Sequence, residues 1–290
     1  MKIIISVLLA FAQVFGFFQA AVLRLSPLQE GGERFAYGEG TWQNLDIFIP
    51  EDAGDSADVM FFIHGGSWIF GNQTQSMTRF AKTARDRGLV GVSVDYSKLG
   101  LKTTAADMAE EIYSAAGYVR DLLAGRGIEA RSLAVCGHSS GANTALLFAY
   151  KHYSDSPIEI SYVVAASAPV GFENYGDGTM VETGGNFLAS LLAGEYIKKS
   201  DMKADNETYA SISPLMLVNP DVPPTLLIHG DKDKMVPYTG SVRLYEALEN
   251  AGVKTGFVTI PDGGHFIYGN AGFDAVAVPA VEEFAAGCMS

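Results

Sequence analysis

Short apolar runs, separated by turn residues, recur along most of the chain. They lie at 44–50, 58–66, 88–96, 132–137, 161–167, 225–230 and 255–261. From the second run onward they are continuously apolar rather than alternating, as is typical of strands buried on both faces of a parallel sheet. The extended segments at 34–37 and 41–49 have no helix between them, and we predict that they form an antiparallel lead-in to the sheet.

Segments with helical apolar spacing alternate with these runs. They lie at 103–124, 140–153 and 239–251, and this alternation predicts a doubly wound α/β sheet. Residues 170–212 depart from the rhythm, because a glycine-rich stretch is followed there by further helical segments. Loops at the carboxyl ends of the strands cover the ligand crevice in such sheets. We therefore expect this insertion to form a lid or pocket wall, with an ordinary surface excursion as the alternative.

The composition limits the class of protein. Of the 290 residues, 48% are apolar, which is ample for a large core and unlike a disordered chain. The formal net charge of −13 at pH 7 opposes binding to nucleic acid, which requires a basic face, and adsorption to an anionic membrane surface. No linker or repeat divides the chain beyond its N-terminal segment, so residues 22–290 are predicted to be a single domain.

The N-terminal segment has the layout of a secretory leader. A lysine at position 2 is followed by a long apolar run and then by small residues at 20–21. We interpret residues 1–21 as a cleaved signal peptide, with an uncleaved membrane anchor over residues 3–23 as the alternative. The chain is therefore predicted to be secreted, and to be held at a membrane only if the leader is retained.

Two glycosylation sequons agree with a secretory route in a eukaryote. They are Asn72-Gln73-Thr74 and Asn206-Glu207-Thr208. Sequons of three residues also arise by chance, so the predicted location depends mainly on the leader.

Residues 135–143, which read VCGHSSGAN, place a serine between two glycines. The segment before them is strand-like and the segment after them has helical spacing, so Ser139 lies at a predicted strand-to-helix turn. A side chain at Gly137 or Gly141 would collide with the crossing backbone of such a turn. In a G-x-S-x-G arrangement the central serine presents its hydroxyl as a nucleophile. An ordinary glycine–serine loop is the alternative.

A serine nucleophile needs a base, and five histidines compete for that role. His265 follows the last strand and is the only histidine downstream of every candidate acid, as the chain order Ser, acid, His requires. His64 and His229 each end an apolar strand before a glycine, a position typical of hydrogen bonds that order a loop. His138 lies inside the turn, and His152 lies on a helix. His265 is therefore the predicted base.

The acid that holds the base is expected just beyond a strand end. Asp231 and Asp233 both follow the strand at 225–230. Asp233 lies further out, where a turn would direct it toward a histidine on a loop, whereas Asp231 is close enough to the strand to cap the loop. Asp262 is too near His265 to reach its far ring nitrogen. We predict Asp233 as the acid, with Asp231 as the alternative.

An oxyanion needs backbone N–H donors beside the nucleophile. The residue after Ser139 supplies one, from Ser140, and the IHGGSW loop at 63–68 supplies the others, from Gly66 and Ser67. This glycine pair is not followed by the Lys-Ser/Thr of a phosphate-binding loop. The sequence contains no G-x-G-x-x-G and no zinc-type histidine spacing. We therefore predict no metal and no cofactor.

Several motifs in this order resemble a known family. They are HGGSWIFGN, SVDYS, GHSSGANTALLFA, YASISPL, PPTLLIHGDKDKMVP and GGHF. From about residue 35 to the C-terminus the chain resembles the α/β-hydrolase fold. Within that fold it is similar to the esterases related to bacterial feruloyl and acetyl esterases, kynurenine formamidases and hormone-sensitive-lipase-like carboxylesterases.

The resemblance implies a mostly parallel eight-stranded sheet with helices on both faces and a small insertion near residues 170–212. It also implies a triad and an oxyanion hole, formed respectively by Ser139, Asp233 and His265 and by Gly66, Ser67 and Ser140. Trp68 and His138 are candidates for the substrate pocket.

Two positions depart from the hormone-sensitive-lipase-like pattern. Ser97 stands where that group has an arginine, and Ser67 stands where it usually has a third glycine. The HGG-x-W form, with Trp68, looks more like the feruloyl-esterase and formamidase groups.

The function that we expect is hydrolysis of small-molecule carboxylic esters through an acyl-enzyme on Ser139, with residues 22–290 as the catalytic domain. An arylformamidase, which cleaves an N-formyl amide with the same groups, is the alternative, and a secretory leader disfavours it. A catalytically inactive binding module is a further alternative. Such modules usually lack a triad member, and none is missing here.

Overall fold

The computed structural model describes residues 28–74, 76–268 and 273–288. The predicted leader at 1–21, and the alternative anchor at 3–23, lie outside the described residues. Within the described ranges, no helix is both long enough and apolar enough to cross a membrane.

Eight strands form one sheet in the described part of the chain. They are β1 (Glu33–Ala36), β2 (Asn44–Phe48), β3 (Ser56–Ile63), β4 (Val90–Val94), β5 (Glu129–His138), β6 (Ile160–Ala166), β7 (Thr225–Gly230) and β8 (Thr255–Ile260). Their order is β1-β2-β4-β3-β5-β6-β7-β8. The β1–β2 and β2–β4 pairs are antiparallel and the others are parallel. The predicted parallel sheet and its antiparallel lead-in are both confirmed.

Helices follow the strands and cover both faces of the sheet. They are α1 (Ser76–Arg85), α2 (Ala105–Ala124), α3 (Ser140–Lys151), α4 (Met180–Ala193), α5 (Glu207–Ala210), α6 (Tyr238–Asn250) and α7 (Val278–Ala286). Neighbouring strand residues enter different cores: Phe61 packs in the core that includes α2 and α3, and Phe62 in the core that includes α1 and α7. Because both faces of the strands are covered, both kinds of position must be apolar, which explains the continuous runs.

The insertion at 170–212 contains α4, a single 3-10 turn (Lys199–Asp201) and α5. Helix α4 begins with a capping box, in which Thr179 and Glu182 exchange side-chain to backbone hydrogen bonds. The N–H groups of Met180 and Val181 donate to the carbonyls of Lys234 and Met235 at 3.1 and 3.0 Å. The insertion is therefore anchored on the loop that follows β7.

Candidate active site

Ser139 lies at the sharp turn between β5 and α3, with φ 57° and ψ −127°. This is a strained conformation for a residue with a side chain, and such strain recurs at functional turns. A Cβ on Gly137 would lie 2.4 Å from the carbonyl oxygen of Gly141, and a Cβ on Gly141 would lie 2.3 Å from the carbonyl oxygen of Ile63. Strand β5, helix α3 and strand β3 therefore approach so closely that only glycine fits at these two positions.

The structure brings Ser139, His265 and Asp233 into one hydrogen-bonded chain. The Nε2 atom of His265 lies 2.9 Å from the Oγ atom of Ser139, and its Nδ1 atom lies 2.8 Å from Oδ2 of Asp233. All three residues are buried, and Ser139 is 9% exposed. Asp231 is exposed, and the two ring nitrogens of His265 bond to Asp233 and Ser139, so the geometry selects Asp233 among the candidate acids.

The carboxylate of Asp233 accepts four hydrogen bonds. Its Oδ1 atom accepts from the N–H groups of Met235 and Val236 at 2.7 and 3.0 Å, and its Oδ2 atom accepts from His265 and from Nε2 of His229 at 3.2 Å. Burial by itself would raise the pKa of Asp233, but the hydrogen bonds from His229, His265 and the backbone hold it well below its usual range. The group is therefore ionised at neutral pH.

The loop after β3 lies directly against the serine. A Cβ on Gly65 would lie 3.2 Å from the Cβ of Ser139. Gly66 has a φ of 135°, and its carbonyl oxygen accepts from the N–H groups of Ile69 and Phe70 at 3.1 and 2.8 Å. Ser67 also has a positive φ, of 54°. The chain thus turns tightly beside the nucleophile.

Three N–H groups near Ser139 are available for a substrate oxygen. They belong to Gly66, Ser67 and Ser140, and none has a hydrogen-bond partner among the residues that the structure describes. The N–H of Ser140 is at the first position of α3, where no intrahelical acceptor exists. The positive end of the α3 dipole adds to the preference for an anion at this point.

A buried polar cluster holds the loop after β3 in place. His64, which sequence reasoning placed as a loop-ordering residue, has Nε2 2.9 Å from Oδ1 of Asp95 and Nδ1 2.8 Å from the carbonyl oxygen of Gly65. Lys98 donates to Asp95 and, at 2.8 Å, to the carbonyl oxygen of Tyr96. Burial lowers the pKa of Lys98, and the contact with Asp95 partly opposes this effect.

Sequence reasoning missed Lys98. It directly follows Ser97, and Ser97 is the position at which the hormone-sensitive-lipase-like pattern has an arginine. The signal that could have identified it is a lone lysine directly after a buried strand and its Asp-Tyr pair.

Trp68 and His138 are the two residues predicted to line the substrate pocket. Both are buried, at 3% and 6% exposure. The indole N–H of Trp68 donates to Oδ1 of Asn143 at 3.3 Å, and Nε2 of His138 donates to the carbonyl oxygen of His265 at 2.9 Å. Their assignment to the substrate pocket stays a prediction. Burial lowers the pKa of His138 to about 4.

An aromatic side chain stands exposed beside the base. Phe266 is 74% exposed, and its ring lies edge-on to that of His265 with 5.3 Å between the centroids. An exposed aromatic ring next to a reactive group is suited to contact the apolar part of a small molecule.

A cavity of about 540 Å³ lies between the strands and helices α1 and α7. Its lining is mostly apolar and includes Phe62, Cys136 and Tyr268. Burial raises the pKa of the Cys136 thiol. Ser139, Asp233 and His265 do not line this cavity, whereas Gly137, two positions before the serine, does. Within the described ranges, no group of three or more His, Cys, Asp or Glu side chains could hold a metal ion.

A family model described as BD-FAE matches residues 45–248, a range that includes Ser139 and Asp233 and ends before His265. Esterase LipQ of Mycobacterium tuberculosis is 29% identical over 241 residues, which are 79% of this chain and 55% of LipQ. The chain thus spans about half the length of that relative. Kynurenine formamidase of Danio rerio is 23% identical, over 83% of this chain and 80% of that protein.

Among solved structures, the butyrate-bound esterase 2 of Thermogutta terrifontis superposes with a TM-score of 0.71 at 21% identity. The match covers 91% of this chain and 97% of that chain. At this identity the likeness concerns the fold, and it confirms the predicted α/β-hydrolase fold.

Proposed function

The chain belongs to the BD-FAE family, and from this premise we propose that it is a serine hydrolase that cleaves carboxylic esters of small molecules. The observation that carries the proposal is the continuous hydrogen-bonded chain from Ser139 through His265 to Asp233. A hydroxyl, an imidazole and a buried carboxylate in this order are the groups that activate a serine for acyl transfer. The relative LipQ is named as an esterase, which agrees with this reaction class.

The reaction begins with proton transfer from Ser139 to His265. As the hydroxyl oxygen attacks the ester carbonyl carbon, Nε2 of His265 takes the proton, while Asp233 holds Nδ1–H and stabilises the imidazolium. The carbonyl oxygen becomes an oxyanion and accepts hydrogen bonds from the N–H groups of Gly66, Ser67 and Ser140. These donors are fixed in place before the substrate arrives, so little reorganisation is needed.

The tetrahedral intermediate then collapses and breaks the bond to the alcohol. His265 gives its proton to the departing alkoxide, and the acyl group stays on Ser139. A water molecule, deprotonated by His265, attacks the acyl carbon through a second oxyanion. The carboxylic acid leaves, and the proton returns to Ser139.

An arylformamidase is the second candidate. The favouring observation is that the formamidase of Danio rerio matches over most of both chains, whereas LipQ is matched over 55% of its length. The same serine, base and oxyanion donors would cleave an N-formyl amide, with an amine in place of the alcohol as leaving group. The predicted secretory leader opposes this candidate.

Hydrolysis of a substrate panel by the purified protein tests the proposal. The panel contains aryl acetates, feruloyl esters and an N-formyl aryl amide, and labelling by a fluorophosphonate probe is measured in parallel. We expect ester hydrolysis and labelling that both vanish in Ser139→Ala. Ser140→Ala is the matched control, because its proposed contribution comes from the backbone, and it should retain much of the activity.

Labelling that persists in Ser139→Ala would overturn the assignment of the nucleophile. Higher kcat/KM on the N-formyl amide than on every ester would replace the ester hydrolase with the formamidase.

A further inference from the structure

His229 is a second histidine on the carboxylate of Asp233. It lies near the end of β7, four positions before Asp233, and it is fully buried. Its Nε2 atom lies 3.2 Å from Oδ2 of Asp233, the same oxygen that accepts from His265. Its Nδ1 atom lies 2.7 Å from Oγ of Ser241, on the first turn of α6.

These contacts define the tautomer of a neutral His229 ring. The ionised carboxylate of Asp233 can only accept, so Nε2 of His229 donates to it. In the neutral ring Nδ1 is then an acceptor, and the hydroxyl of Ser241 supplies the donor. Because the group is completely enclosed, Ser241 and Asp233 together fix the orientation of the ring as well as its tautomer.

The hydrogen bond from His229 weakens the electrostatic attraction between Asp233 and His265. A carboxylate oxygen that shares its charge between two N–H donors attracts each of them less strongly than an oxygen with one donor. We propose that His229 is a positioning residue: it holds Oδ2 of Asp233 in line with Nδ1 of His265 and restrains the pull of this carboxylate on the base. The inference rests on the proposed function insofar as His265 is the base.

Two other titratable side chains, His138 and Tyr238, come close to this pair. His138, at the end of β5, is kept neutral by burial near pH 7, because its pKa is lowered to about 4. Tyr238 of α6 packs edge-on against His229 with 5.8 Å between ring centroids, and its hydroxyl bonds Thr259. Among the described residues, His265 and His229 are the ionisable side chains that bond directly to Asp233, and the side chains of Asp231, Lys232 and Lys234 on the same loop are exposed or half-buried.

Replacing the donor tests the inference. His229→Leu removes the N–H, and the charge on Asp233 then favours the protonated form of His265 more strongly. We expect the acid limb of the kcat/KM profile to move to higher pH by about half a unit to one unit, with a plateau kcat about tenfold lower. His229→Gln, whose amide reaches a similar point, should restore most of the wild-type profile.

Two further variants separate positioning from loss of packing. Tyr150→Phe is the matched control, since it removes another buried hydrogen bond of the sheet, to Thr225 at 3.0 Å, away from Asp233. It should leave the acid limb unchanged. Ser241→Ala should shift the limb in the same direction as His229→Leu but less, and it serves as the main test if His229→Leu does not fold.

An NMR titration of the His265 ring, in wild type, Ser241→Ala and the His229 variants, reports the same quantity without any substrate. A higher titration midpoint in His229→Leu or Ser241→Ala supports the inference. An unchanged midpoint and an unchanged acid limb would overturn it. If instead the wild type hydrolyses no ester and Ser139 takes no fluorophosphonate, the proposed function fails, while the titration still decides the role of His229.

Discussion

The imidazole of His138 donates from Nε2 to the carbonyl oxygen of His265 at 2.9 Å, across 127 positions of the sequence. The residue directly before the nucleophile thus holds the backbone of the proposed base. This hydrogen bond requires a proton on Nε2 only, which the neutral ring supplies. Protonation of the second nitrogen would place a charge in a site that is almost closed to water.

The burial of neutral His138 predicts a loss of stability in mild acid. Its pKa is about 4 in the folded protein and about 6.5 when unfolded, so the unfolded chain binds more protons between these values. The free energy of unfolding should therefore be at its full value above pH 6.5 and should fall by about 3 kcal/mol as the pH decreases to 4. Urea unfolding at pH 7, 5.5 and 4.5 measures this slope.

His138→Phe is the control for this slope, because it removes the titrating group. The variant should show a flatter dependence over the same range, even if its stability at pH 7 is lower. His64, whose pKa is also lowered mainly by burial, contributes in both proteins. Equal slopes for the two proteins would contradict the assignment to His138.

The acid assignment predicts very different effects for two neighbouring aspartates. Asp233→Asn removes the charge that fixes the tautomer of His265, and kcat should fall by about 10⁴-fold. Asp231→Asn alters an exposed side chain and should cost far less. Steady-state kinetics on an ester that the wild type hydrolyses measures both, and the reverse ranking would move the acid to Asp231.

Chain order and strand ends were enough to select Ser139, Asp233 and His265. The order of the acid and the base along the chain can be read directly from the sequence. The loops that follow parallel strands all lie at the carboxyl ends of these strands, so residues in these loops come close together. The directions of Trp68 and His138 were not accessible in this way. Trp68 has a φ of 61°, and a left-handed conformation of this kind reverses the direction in which the side chain points. The residue type does not indicate that the backbone adopts it.

The contacts of buried polar groups were equally hidden from the sequence. His229 was interpreted as a residue that orders a loop, and its bond to Asp233 depends on how the chain curves between positions 229 and 233. Lys98 looks like a surface lysine until the fold encloses it beside Asp95. Such pairs are set by three-dimensional packing, whereas the apolar runs that reveal strands are set locally.

The turn at Ser139 predicts a sharp contrast between two glycine-to-alanine changes. Gly137→Ala would place a Cβ 2.4 Å from the carbonyl oxygen of Gly141, and backbone cannot yield there without moving α3. We expect a loss of several kcal/mol in the free energy of unfolding, or no soluble protein. Gly117→Ala, in α2, meets nothing nearer than 3.7 Å and should be neutral or stabilising by up to about 1 kcal/mol.

Thermal and urea unfolding of the two variants provide the comparison. A Gly137→Ala protein with wild-type stability and activity would show that β5 and α3 are further apart than described.

The predicted leader and the two sequons determine the expected form of the mature protein. If the leader is removed in the secretory pathway, the mature chain should begin near Ala21 or Val22, and N-terminal sequencing of the protein from its native host measures this. Only one sequon should then carry a glycan. Asn72 is 3% exposed, and its Oδ1 atom accepts from the N–H and hydroxyl of Thr74 at 3.0 and 2.9 Å, so its amide is enclosed by the fold.

Asn206, in contrast, lies between exposed residues at the start of α5. Its Oδ1 atom accepts from the N–H of Tyr209 at 2.8 Å, which leaves the amide nitrogen to carry the sugar. Peptide mapping after enzymatic deglycosylation should find asparagine converted to aspartate at position 206 and not at 72. An intact Met1 on an unglycosylated protein would remove the secretory argument. The formamidase would then become the favoured function, because an enzyme that stays inside the cell meets N-formyl amides more readily than extracellular esters.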